Sequence, residues 1–137
     1  MQRKDYNTAA TLYRAILVEQ PKSPIILNNL AWNLAQLNDP AAVEYAETAN
    51  ALAPDSPAIL DTLGWVLVEN GKDARGLELL TKASDLAPGV HSIRMHLAQA
   101  LLKNGQKGAA RKQLEVLAAL PVDSAIKQEA KNLLSNL

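Results

Sequence analysis

Four prolines, Pro21, Pro54, Pro88 and Pro121, divide the chain at intervals of 33, 34 and 33 residues. Few features restrict a fold more, because a fixed period of about 20–50 residues marks a chain that stacks one small unit on the next. The text between the prolines repeats as well. Residues 27–34 read LNNLAWNL, residues 60–71 read LDTLGWVLVENG and residues 94–105 read RMHLAQALLKNG. Each interval holds a helical stretch, a break and a second helical stretch. A unit of that size cannot bury its apolar face alone and needs its neighbours.

The helix boundaries are written in turn chemistry. Ser23-Pro24, Asp39-Pro40 and Ser56-Pro57 each put a capping side chain before a proline, and proline suits the first helical position, where its missing N–H would be unpaired anyway. Asn70-Gly71 and Asn104-Gly105 close helices with residues that tolerate the left-handed conformation. These signals predict eight helices, at about 5–19, 24–37, 40–52, 57–70, 73–86, 90–103, 107–119 and 124–136, joined by short connections that make successive helices antiparallel neighbours. Composition agrees: 48% of residues are hydrophobic and Phe is absent. Ala and Leu dominate, which favours closely spaced helices, and no stretch alternates in the manner of a strand.

These residues resemble the tetratricopeptide repeat (TPR), a 34-residue helix pair with a Leu-Gly or Leu-Ala pair in its first helix, a Gly at the turn, small residues in its second helix and a closing Pro. Leu63-Gly64, Gly71, Ala83 and Pro88 fit that pattern; Leu97-Ala98, Gly105, Ala110 and Pro121 fit with one residue missing. Leu30-Ala31, Ala42, Ala46, Ala49 and Pro54 fit with the turn shortened at Asn38-Asp39-Pro40. The resemblance implies an all-α, right-handed superhelical solenoid. The chain then divides into a half repeat (1–21), three repeats (22–54, 55–88 and 89–121) and a capping helix (122–137). Three positions depart from the family pattern. Leu27 and Leu60 stand where its usual Trp would be, and Gly76 replaces the usual Ala, at a cost of up to about 1 kcal/mol in mid-helix. Gly64 answers to close helix packing.

The two ends differ. At the N-terminus, Tyr6, Ala9, Tyr13, Ile16 and Leu17 form an apolar stripe at helical spacing, and no first helix precedes it to cover it. We expect either that the chain is a piece of a longer array, the favoured reading, or that a partner or a second copy covers the stripe. Tyr6, Tyr13 and Leu17 are its candidate self-association residues, and a homodimer through the half repeat follows from the second reading. At the C-terminus, Ile126, Ala130, Leu133, Leu134 and Leu137 share one face and polar residues the other, the pattern of a terminal cap.

Trp32 and Trp65 lie about 200° around their helices from the core leucines two residues earlier. By resemblance, first helices line the concave face, so the expected groove holds Asn28, Trp32, Gln36, Asp61, Trp65, Val68, Glu69, Met95, Gln99 and Lys103. Two readings stand: the indoles pack sideways on neighbouring first helices, or they contact a ligand, for which Trp offers area and one N–H. The carboxylate clamp known in TPR grooves needs cations. The matching positions, Asn28, Trp32, Thr62, Ser92 and His96, supply no Lys or Arg, so chaperone C-terminal tails are not the expected ligand; about 100-fold tighter binding of a free C-terminus than of its amide would overturn this.

Other chemistry finds little support. Basic and acidic residues balance at 14 each, so nothing advertises a nucleic-acid partner. Cysteine is absent, which removes disulfides and thiolate chemistry. His91 and His96 are five apart and do not share a helix face as a pair of ligands would, so no metal is expected. Gly71-Lys72-Asp73-Ala74-Arg75-Gly76 lacks phosphate-loop spacing, and no carboxylate pair or nucleophile elbow is visible. The expectation is a non-enzymatic scaffold without cofactors that binds a protein or peptide in its groove; the alternative is the structural end of an array that associates with itself. No membrane-inserting segment is evident. The run from NNLAW through RGLELLTKASDLAP also resembles the C-terminal repeats of bacterial TPR lipoproteins of the PEP-CTERM/exosortase system. That resemblance implies a periplasmic or envelope location linked to exopolysaccharide and protein sorting; without it the location is open, the cytoplasm included.

Overall fold

The computed structural model describes residues 3–137; Met1 and Gln2, where the half repeat was taken to begin, lie outside the described residues. Eight helices follow one another: α1 (Arg3–Glu19), α2 (Pro24–Gln36), α3 (Ala41–Leu52), α4 (Pro57–Glu69), α5 (Asp73–Leu86), α6 (His91–Lys103), α7 (Lys107–Ala118) and α8 (Ala125–Ser135). The boundaries agree with the sequence reading to within two residues. Each helix packs on the next. The even-numbered helices also meet each other, α2 with α4, α4 with α6 and α6 with α8, whereas the backbones of α1, α3, α5 and α7 nowhere approach one another. A stack that is tight along one row and open along the other curves toward the tight row. The even helices therefore form the concave side of an all-α helical-repeat solenoid.

The repeat period is enforced at the turns. Asp39 N–H donates to the Leu34 carbonyl, Lys72 N–H to Leu67 and Gln106 N–H to Leu101, each at 2.9 Å. This bond spans five residues and closes a helix whose next residue has turned left-handed. Gly71 and Gly105 supply that turn with φ of 81° and 76°. In the first repeat, where no glycine stands, Asn38 supplies it with φ of 57°. Asn tolerates this region better than other residues with a Cβ. Asn38→Ala should lower stability by about 1 kcal/mol and Asn38→Gly should not, in parallel thermal melts.

The capping expectations hold unevenly. Ser23 Oγ accepts from Ile26 N–H at 3.4 Å, but Ser56 makes no side-chain cap bond. At α3, Asp39 Oδ1 accepts from Ala41 N–H at 2.9 Å and Pro40 between them has helical dihedrals, φ −64° and ψ −17°, so Asp39 caps a helix that Pro40 leads into.

Leucines and alanines divide the work of packing. Leu30, Leu34, Leu60, Leu63, Leu67, Leu80, Leu114 and Leu117 are fully buried, each contributing about 1.5–3 kcal/mol of burial. Ala31, Ala46, Ala49, Ala83, Ala98 and Ala110 have no exposed surface and let the helices of each pair close up. At one crossing even alanine is too large. A Cβ built on Gly64 would lie 2.9 Å from the Gly76 carbonyl oxygen, and one on Gly76 would lie 2.7 Å from that of Gly64. Gly76 is thus the partner that Gly64 needs in α5, and the helix-propensity loss read from the sequence is the smaller part of its role.

The N-terminal stripe is corrected. Tyr6, Tyr13 and Leu17 are half-buried against the cluster of Ala10, Leu30 and Leu34, so they face α2 and are not a bare surface. The uncovered apolar side chains of α1 are Leu12, Ile16 and Val18. The apolar arc of α1 is wider than one neighbour covers, and α2 takes the half that includes the tyrosines. At the other end, α8 buries Ala130 and lays Ile126, Leu133 and Leu134 over Leu114 and Leu117, and Leu137 after it packs on the same cluster. Among the described residues no helix is long and apolar enough to cross a membrane.

Candidate functional site

The even helices present equivalent positions to the concave side. Asn28, Asp61 and Met95 stand at one register position, Asn29, Thr62 and His96 at the next, and Trp32, Trp65 and Gln99 at a third. The first position leans toward the following even helix and the second toward the preceding one. Asp61 of α4 therefore meets His96 of α6: the His96 Nδ1 lies 2.9 Å and 3.0 Å from the two carboxylate oxygens.

That imidazole stands between the two indoles. Its centroid is 5.5 Å from that of Trp32, with ring planes inclined by 40°, and 5.3 Å from that of Trp65, inclined by 35°. Tilted aromatic pairs at such distances attract, by roughly 0.5–1.5 kcal/mol beyond their buried area. Three helices thus contribute to one ladder, Trp32 from α2, Trp65 from α4 and His96 from α6. Both indoles pack sideways and both remain partly exposed.

On either side of the ladder the surface differs. Toward the N-terminal side lies a pocket of about 360 Å³. Its walls are Trp32 and Asn28 on α2, Asp61 and Thr62 on α4, and His96 on α6, with Tyr13 of α1 closing one end. Thr62 Oγ1 donates to the Ala58 carbonyl at 3.1 Å. Asn33, also in the wall, donates its Nδ2 to the Asn29 carbonyl at 2.8 Å, while its own Oδ1 and that of Asn28 are buried without a partner. Toward the C-terminal side, Lys103 Nζ sits 5.7 Å from the Trp65 ring centroid, within cation–π range. Desolvation raises the Glu69 carboxyl above the usual carboxylate range, against the opposing pull of Lys103, a hydrogen bond from Trp65 and His96. Gln99 Nε2 donates to Glu129 of α8 at 2.8 Å.

Of the expected groove residues, the structure gathers Asn28, Trp32 and Asp61 at the pocket and Trp65, Glu69, Gln99 and Lys103 beyond the ladder; Gln36 is half-buried on α2. Two placements are corrected. Met95 is 4% exposed and packs in the cluster of Leu114, Leu117 and Ala130, because α8 takes the place of a further even helix and covers its position. Val68 is 5% exposed and lies against Gly76, because the glycine crossing draws α5 over that side of α4. Neither offers surface to a ligand. The sequence reading places His96 only among the clamp-matching positions, gives Tyr13 to the N-terminal stripe and does not single out Asn33. The separation of Asp61 from His96, one repeat plus one residue, was the available signal: adjacent even helices meet through the two neighbouring register positions. Among the described residues no group of three His, Asp or Glu side chains is placed to hold a metal ion.

The tetratricopeptide-repeat family is matched over residues 67–137. Among characterised sequences, TPR repeat-containing protein PA4667 of Pseudomonas aeruginosa (strain PAO1) is 33% identical over 88 residues, which are 63% of this chain and 15% of that protein. The chain thus spans about 15% of the length of the relative it matches. Solved structures share the fold. YrrB, described as a TPR protein with an unusual peptide-binding site, superposes with a TM-score of 0.75 at 17% identity, over 94% of this chain and 67% of that one. MamA of Desulfovibrio magneticus RS-1 gives 0.72 at 19%, over 95% and 68%. The TPR-like repeats of a putative kinesin light chain of Podospora anserina give 0.77 at 19%, over 98% and 78%. At these identities the likeness is one of fold.

Proposed function

Because the chain belongs to the tetratricopeptide-repeat family, we propose that it is a non-enzymatic scaffold that grips a peptide or protein segment along the concave face of α2, α4 and α6. The observation that carries this reading is the pocket beside Trp32, whose size falls within the range of about 300–1,000 Å³ typical of ligand sites. Its aromatic walls and few fixed polar groups suit a side chain inserted from an extended segment, with the ladder rigid beside it. A peptide-binding site is named for YrrB, which shares this fold. The test is selection of random heptapeptides on the immobilised protein, followed by titration of the selected peptides against the wild type and against Trp32→Ala. Binding that falls at least about tenfold in the variant supports the groove; peptides that bind both proteins equally overturn it.

A second reading rests on Leu12, 60% exposed, and Ile16 one turn further on the same side of α1. A second copy laid on this side of α1 would cover them. Light scattering across concentration decides it: a dimer abolished by Leu12→Glu supports self-association, and a monomer at all concentrations ends it. The run that resembles envelope lipoproteins supports a role in a bacterial envelope system, to be tested by fractionation of cells expressing the full-length protein.

A further inference from the structure

We propose that the pocket between Tyr13, Trp32 and Asp61 is a receptor for a basic side chain, arginine before lysine, of the bound segment. The proposal rests on the groove reading above and gives that groove its ligand chemistry.

Donors and acceptors do not balance around this pocket. Asp61 is 8% exposed, yet its two oxygens share a single N–H, from His96 Nδ1. An ionised carboxylate accepts about four hydrogen bonds, so most of its capacity is unused. Asn33, also 8% exposed, has an Oδ1 with no partner, as does Asn28. Three side chains around one pocket thus have unfilled acceptor sites. A buried acceptor left unmade costs about 1–3 kcal/mol, so a ligand that brings donors to Asp61 gains there; the two amide oxygens lie behind the wall and add only to its acceptor character.

Neither Lys nor Arg lines the pocket. Lys103 stands at Trp65, on the far side of the ladder. A carboxylate ligand would therefore meet no cation there and would face the Asp61 carboxylate, and a purely apolar side chain would remove Asp61 from water without replacing its hydrogen bonds. The walls select further. Tyr13 and Trp32 are half-buried aromatic surfaces that can hold the apolar stem and the charge of a cation. Arginine matches best, because its planar guanidinium stacks on rings and presents a fork of donors that suits the two oxygens of a carboxylate such as Asp61.

The experiment uses N-acetylated, C-amidated heptapeptides, whose termini carry no charge, randomised around one fixed position and titrated by intrinsic tryptophan fluorescence. The expected order at the fixed position is arginine, then lysine, with citrulline at least about tenfold weaker than arginine, since citrulline keeps the shape and loses the charge. Asp61→Asn still offers His96 an acceptor, so it should keep the fold and erase most of the difference between arginine and citrulline. Should its circular dichroism show unfolding, the wild-type comparison of arginine with citrulline decides alone. Selected peptides that lack basic residues, or that tolerate citrulline, overturn the basic-side-chain receptor and leave the groove standing. Failure of every peptide to bind overturns both.

Discussion

Gly76→Ala should lower the melting temperature by roughly 5–10 °C, although alanine is the better helix former. Two opposed effects decide the sign. Replacing glycine in a helix interior gains up to about 1 kcal/mol of propensity. Against it, the new Cβ would stand 2.5 Å from Val68 Cγ2, 2.7 Å from the Gly64 carbonyl oxygen and 3.0 Å from the Val68 nitrogen. Two of those three atoms are backbone, and a helical valine is held to one preferred rotamer. No side chain can swing aside, so α5 must lift off α4. Overpacking of this kind costs about 1–3 kcal/mol and sometimes more, which leaves a net loss near 2 kcal/mol and the stated fall in melting temperature for a chain of this size.

Gly64→Ala should act alike, since its Cβ would meet Leu80 Cγ at 2.8 Å and the Gly76 carbonyl oxygen at 2.9 Å. The double variant should lose less than the sum, because helices already parted by one methyl have room for the second. Gly108 of α7 is the control: nothing lies within 4 Å of its Cβ position, so Gly108→Ala should stabilise, by about 0.4–1 kcal/mol. Destabilisation at all three sites would show that the effect is not the crossing.

The same glycine shows where sequence reading stops. Periodic prolines, Ser-Pro and Asn-Gly pairs located all eight helices to within two residues, because they are local signals for local events. Gly76 read as a defect because its role depends on another chain segment twelve residues away. The groove divides along the same line. Helical angle puts Asn28, Trp32, Asp61 and Trp65 on one face, since that depends only on residue spacing, and the resemblance assigns that face to the groove. It also placed Met95 and Val68 there, and both are buried by neighbours, Met95 by α8 and Val68 by the closeness of α5. The contacts of His96 are illegible in the sequence for a related reason. Read alone it is a half-buried histidine; its meaning comes from Asp61 on one adjacent helix and Trp32 on a helix further along.

Removing His96 should damage the protein more than removing both His96 and Asp61. The Asp61 and His96 side chains are 12% and 20% exposed, so the bond between them is made largely out of water. In His96→Ala the carboxylate stays buried and loses the one side-chain donor it has among the described residues. Breaking a buried pair from one side costs about 3–5 kcal/mol; partial exposure here reduces the expectation to about 2–3. The variant also takes the central ring out of the ladder, so the two indoles lose their shared neighbour and acrylamide should quench their fluorescence more strongly. Adding Asp61→Ala to that variant then removes the stranded carboxylate. Stability should rise, by about 1–2 kcal/mol, although a second residue has been truncated. That reversal of sign separates an electrostatic pair from ordinary packing. If Asp61→Ala costs as much in the His96→Ala background as in the wild type, the two side chains contribute only as filler, and the ladder is held by its rings alone.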